Sequence, residues 1–128
     1  MTAYAPYQEK PGMVTAISIL TLISGITNII AGISWSIGAG ATIVGLLCVP
    51  ITICPIILGV FEIIYASKLL SSPPKVDKIN TTIAILEIVA ILSGNIISLV
   101  TGILALVANN DPAVKNYFAQ LSGAPKVY

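Results

Sequence analysis

Two carboxylates stand where a chain of this composition has least use for charge. No charged residue occurs between Pro11 and Phe61; then FEIIY, residues 61–65, carries Glu62. A second acid, Glu87, interrupts AILEIVAIL over 84–92. A charge near the centre of a bilayer costs about 2.5–3.5 kcal/mol on insertion scales. An acid kept in such a run therefore marks either a contact between helices or an ion path. Two carboxyls brought close together cannot both ionise cheaply and share a proton instead. Three kinds of chemistry follow: hydrogen bonding from helix to helix, relay of protons or cations, and two-carboxylate cleavage of glycosides. The last needs a cleft that holds a sugar, and almost no chain is left over to build one.

Composition removes most alternatives. The 128 residues are 56% hydrophobic and 9% charged, with a net charge of +1. Soluble domains carry about 25% charged residues, so this chain cannot cover a water-facing surface and reads as a single all-α integral membrane bundle. It has neither histidine nor arginine. The usual acid–base catalyst near neutral pH, the commonest metal ligand and the bidentate phosphate clamp are missing. No nucleic-acid partner, metal or cofactor is expected, and no enzyme. Cys48 and Cys54 are six residues apart, about 240° around a helix, which disfavours a disulfide. They are expected as small buried apolar side chains.

The elements that must position the acids follow from hydropathy. A spanning helix needs roughly 20 apolar residues. Three runs qualify: 13–35, 41–70 and 81–108. The polar tail over 1–12 lacks the basic start of a signal peptide, and the first run is too long for a signal core. SIGAG, 36–40, suits a tight turn between the first two spans. SSPPKVDKIN, 71–80, forms a polar second link, and Asn80 or Thr81 can cap the third helix. Pro50 and Pro55 predict a kink in the second span, or a true break that would give four crossings. With three spans, Lys10, Lys68, Lys75 and Lys78 share one side, against Lys115 and Lys126 on the other. The positive-inside rule then puts the N-terminus in the cytoplasm and the C-terminus outside, in a plasma (inner) membrane. Trp35 and Tyr65 fall near opposite span ends, as an aromatic belt requires.

On this layout Glu62 lies about 12 Å and Glu87 about 10 Å from one membrane edge, so the two can face each other. Asn28 and Asn95 each lie about 22 Å along parallel helices and reach a common depth. Each polar residue shares a face with small ones. Glu87 stands with Ala90, Gly94, Ser98 and Thr101, Glu62 with Pro55, Gly59 and Ala66, and Asn28 with Thr21, Ser24, Gly25 and Gly32. Small faces are where helices pack closely in lipid. The expected packing residues are therefore Glu62, Glu87, Asn28, Asn95, Gly25 and Gly94.

The segment 109–128 closes the chain. Asp111 is a good N-cap and Pro112 a good first residue. Val114, Tyr117, Phe118 and Leu121 then recur at i, i+3, i+4 and i+7, an amphipathic helix lying at the membrane surface. Its apolar face is expected either to dock a partner or second protomer, or to cover its own bundle.

LLCVPITICPIILGVFEIIYASKLL and NNDPAVKNYFAQL, set around a further apolar span, resemble small uncharacterised bacterial multi-span membrane proteins. In size and hydrophobic pattern the layout is also distantly similar to tetraspan CD20-like or MARVEL-type membrane organisers. The resemblance implies a non-enzymatic structural or accessory protein of the bilayer. Such a protein assembles with itself as a homo-oligomer or as a subunit of a larger membrane complex. The competing expectation is a small ion channel or proton-linked transporter built on Glu62 and Glu87.

Overall fold

The computed structural model describes residues 9–123. The start of the N-terminal tail, Lys126 and the last residues of the C-terminal tail lie outside them. Among the described residues every regular element is helical: α1 (Gly12–Gly40), α2 (Ile43–Leu46), α3 (Val49–Leu70), α4 (Thr81–Val89), α5 (Ile96–Asn110) and α6 (Pro112–Leu121). Two of them, α1 and α3, are long and apolar enough to cross a membrane.

The first helix does not stop at Trp35. It runs through SIGAG to Gly40, and Ser36, the polar side chain of that stretch, bonds the Thr52 hydroxyl at 2.8 Å across to α3. The Thr42 hydroxyl accepts from the Gly45 amide at 2.9 Å and caps the four-residue α2. The turn therefore lies over 41–48 and not over 36–40. The second predicted span is likewise shortened. Pro50 opens α3, at a position whose missing N–H costs nothing, and only Pro55 sits inside the helix. Cys48 and Cys54 are free and exposed at the bundle surface, not buried.

The largest departure is the third predicted span. The segment 81–108 is a hairpin, not one helix. α4 tightens into a 3-10 turn over Ala90–Ser93, Gly94 adopts φ +82°, and Asn95 starts α5 by accepting from the Ser98 amide at 3.1 Å. A left-handed glycine followed by an asparagine N-cap ends one helix and begins another. α5 then returns along α4. A Cβ on Gly102 would collide with the Ala84 carbonyl and the Ile88 side chain, and Asn109 donates to the Thr81 hydroxyl at 2.9 Å. α5 has 15 residues, so the hairpin arm is about 22 Å long, short of the roughly 30 Å hydrocarbon core.

Both ends of the described chain consequently meet at one end of the bundle. Lys10 Nζ donates to the carbonyls of Leu69, Leu70 and Ser71 at 2.9, 3.1 and 2.9 Å, capping the C-terminus of α3. The Tyr65 hydroxyl accepts from the Asn80 amide at 2.8 Å, so Tyr65 is buried and not part of an outward belt. After a 73° bend at Asp111, α6 folds back over this end. Asp111 caps it by accepting from Ala113 and Val114. Val14, Ile17, Leu69, Ile79, Ala108, Val114, Tyr117 and Phe118 form one core there. The opposite-side placement of the termini counted 81–108 as one straight crossing, whereas in this fold that segment reverses at Gly94. Lys68, Lys75, Lys78 and Lys115 join Lys10 at this end, while the turn over 41–48 carries no charge.

Candidate functional site

The centre of the bundle is polar and its outside is oily. Thr21, Ser24, Asn28, Glu62, Glu87, Ser98 and Thr101 are all 0–1% exposed. Ile19, Ile23, Ile26, Ile30 and Ile33, on the other side of α1, are 43–61% exposed. At the centre of the bundle α1, α3, α4 and α5 turn hydroxyls, amides and acids toward one another, the reverse of a soluble bundle.

α1 and α3 come together at glycines. A Cβ on Gly25 would lie 2.8 Å from the Gly59 carbonyl, and one on Gly32 would be 3.1 Å from the Thr52 carbonyl. This close approach leaves short polar side chains facing each other across the helices.

Asn28 is the hub of what results. Its Nδ2 donates to Glu62 Oε2 at 2.9 Å and to Ser98 Oγ at 3.1 Å, and its Oδ1 accepts from Asn95 Nδ2 at 2.8 Å. Ser24 donates to Glu62 Oε2 at 3.3 Å and bonds the Ser98 hydroxyl. Asn95 also reaches the Ser24 carbonyl at 3.5 Å. Three helices are thus joined through one amide: α1 by Asn28, α3 by Glu62, and α5 by its cap Asn95 and by Ser98. Glu87 approaches from α4. It lies within electrostatic range of Glu62 and near Thr21, which faces it outside hydrogen-bonding geometry. Thr21 Oγ1, Glu62 Oε1 and Glu87 Oε1 are buried without a hydrogen-bond partner. The partners of Glu62 are neutral, and Lys68 and Lys78 stay exposed at the charged end.

Of the residues singled out from sequence, Glu62, Asn28 and Asn95 meet directly, Glu87 lies beside them, and Gly25 forms the tightest part of the α1–α3 crossing. Gly94 has a different role. Nothing would touch a Cβ there, and its positive φ turns the hairpin. Val114, Tyr117 and Phe118 are buried in their own bundle, with the two rings edge to face at 5.4 Å, so they present no free face. Only Leu121 of that set is exposed. Ser24, Ser98, Gly59 and Gly102 carry more of the site than their types alone announce. Their signal is spacing: Thr21, Ser24 and Asn28 on α1 match Asn95, Ser98 and Thr101 on α5, three or four residues apart. Among the described residues no group of His, Cys, Asp and Glu has the makings of a metal site. Chemically, the arrangement holds helices together through hydrogen bonds and stores two carboxyls away from water.

Comparison with family models, with curated proteins and with solved structures returns no match.

Proposed function

We propose that this chain is a non-enzymatic structural or accessory protein of a plasma membrane. In this reading α1 and α3 cross the bilayer, α4 and α5 enter as a re-entrant hairpin, and α6 covers the charged end. The positive-inside rule then places that end, with every described lysine, in the cytoplasm. The observation that carries the reading is the inverted burial: hydroxyls, amides and acids inside, isoleucines outside. The exposed flanks of α1, α3 and α5 are available to lipid, to further copies of the chain or to a larger complex. The resemblance to small bacterial multi-span proteins fits the same role.

The polar centre acts here as a fastener. Within hydrocarbon no water competes for hydrogen bonds, so amides and carboxyls on facing helices find one another and set the register of packing. A second reading, a proton-linked transporter or small channel using Glu62 and Glu87, is favoured by one specific feature: the partnerless oxygens of both carboxyls and of Thr21. Exchange of the two acids separates the readings. In proteoliposomes, Glu62→Gln with Glu87→Gln leaves assembly size unchanged and finds no ion flux to abolish if the acids fasten helices. Proton or cation flux in the parent that disappears in the double variant establishes the transporter and displaces the structural role.

A further inference from the structure

α3 packs along α1 and α4 packs along α5, which leaves a seam between α3 and α4. Two cavities follow it. At the charged end a cleft of about 420 Å³ is lined by Phe61, Tyr65, Lys68, Asp77, Lys78 and Thr81, among others. Further in, a groove of about 490 Å³ is walled by Ile51, Cys54, Ile57, Leu58, Leu86 and Val89, with Phe61 again at its outer end. Phe61 lines both, so they adjoin along α3. Along α3 the seam runs from Lys68 to Ile51, about 25 Å. That is deeper than one leaflet of a roughly 30 Å core.

The seam is amphipathic along its length. Its mouth holds two exposed lysines against one exposed aspartate and is net positive. Its inner part has nearly all-aliphatic walls, at the exposed edge of α3 and the hairpin. We infer that the α3–α4 seam binds one anionic phospholipid, its phosphate at Lys68 and Lys78 and one acyl chain along the groove beside Cys54. This rests on the membrane reading above. Charge decides the occupant. An acyl chain alone satisfies only the inner groove, and a second copy of this chain would bring its own lysine-rich end to the same level. An anionic headgroup complements the mouth while its chain fills the apolar remainder.

Native mass spectrometry of the full chain in detergent tests this, with phosphatidylglycerol and phosphatidylcholine of identical acyl chains as probes. The parent is expected to hold one phosphatidylglycerol about tenfold or more tightly over phosphatidylcholine. Each lysine near the headgroup is expected to contribute about fivefold to that preference. Lys68→Gln with Lys78→Gln, both at exposed positions, removes the preference, and Cys54→Trp weakens both lipids by filling the groove. Equal binding of the two lipids by the parent, or a preference that survives loss of both lysines, overturns the inference. So does efficient Cys54–Cys54 bridging between copies in a Cys48→Ser background, which assigns the seam to a second protomer. A chain that does not partition into membranes at all refutes the membrane reading itself, a result distinct from any of these.

Discussion

Asn95 donates an amide proton to Asn28 at 2.8 Å, joining the first residue of the returning hairpin arm to the middle of the first helix. One bond therefore couples the turn that ends α4 to the packing of α1 on α3. Asn28 passes the connection on to Glu62, and Asn95 uses its side-chain oxygen, Oδ1, to cap its own helix. The cap and the interhelical bond come from the same side chain, so hairpin geometry and bundle assembly are not separable.

Replacing Asn28 by leucine should destabilise the fold by about 1–3 kcal/mol, because it leaves buried Glu62 Oε2 and Asn95 Nδ2 with only their longer bonds to Ser24. Thermal unfolding in mild detergent measures the loss. A double-mutant cycle with Asn95→Ala should give a coupling of about 0.6–2 kcal/mol, the range for polar pairs between membrane helices. A coupling near zero would mean that the two amides act independently.

Glycines predict a graded series. Gly25→Leu and Gly59→Leu force α1 and α3 apart and should abolish the folded, monodisperse species in size-exclusion chromatography. Gly38→Ala meets open space and should be neutral or stabilising by up to about 1 kcal/mol. Gly94→Ala also meets open space but must hold φ +82°, so it should cost about 1–2 kcal/mol through backbone strain alone. The order of melting temperatures, Gly38→Ala above Gly94→Ala above Gly25→Leu, is the outcome to check.

Lys10 is a cap supplied from a distance. Its ammonium holds three carbonyls at the end of α3, and partial burial there lowers its pKa from the ordinary lysine value. Lys10→Met keeps the aliphatic stem and removes the donors. It should cost about 0.3–1 kcal/mol, the scale of a cation at a helix C-terminus. Amide hydrogen exchange at Leu70–Ser71 and the loop beyond should rise, with the α1–α3 crossing unchanged.

The parts of this arrangement that were legible in the sequence are those set by side-chain type and helical spacing. Asn28 and Asn95 could be placed at one depth, and Glu62 with Glu87 at another, because rise per residue is fixed in a helix. The Asn28–Glu62 bond was not legible, because that count fixes neither where each helix starts nor how far one slides along another. Asp111 and Pro112 announced the start of α6 through their preference for a helix entrance. Backbone-directed features were harder to read. Ser93-Gly94-Asn95 carries a stop and a start side by side, yet the apolar residues on both sides make the segment look like one span. Hydropathy measures where a chain will sit and is blind to a reversal within the same oily environment. α1 outran its expected end because glycine permits a turn without requiring one. Tyr117 and Phe118 were visible as an apolar face, but only tertiary packing decides whether such a face meets a partner or its own core.

The hairpin returns the chain to the end of the bundle where it began. A reporter that is active only in the cytoplasm, fused after Tyr128 with a matched fusion at the N-terminus, tests that return directly. Activity from both fusions is the expected result. A C-terminal fusion that works only on the far side would require 81–108 to cross as a single span, and would contradict the fold proposed for the membrane.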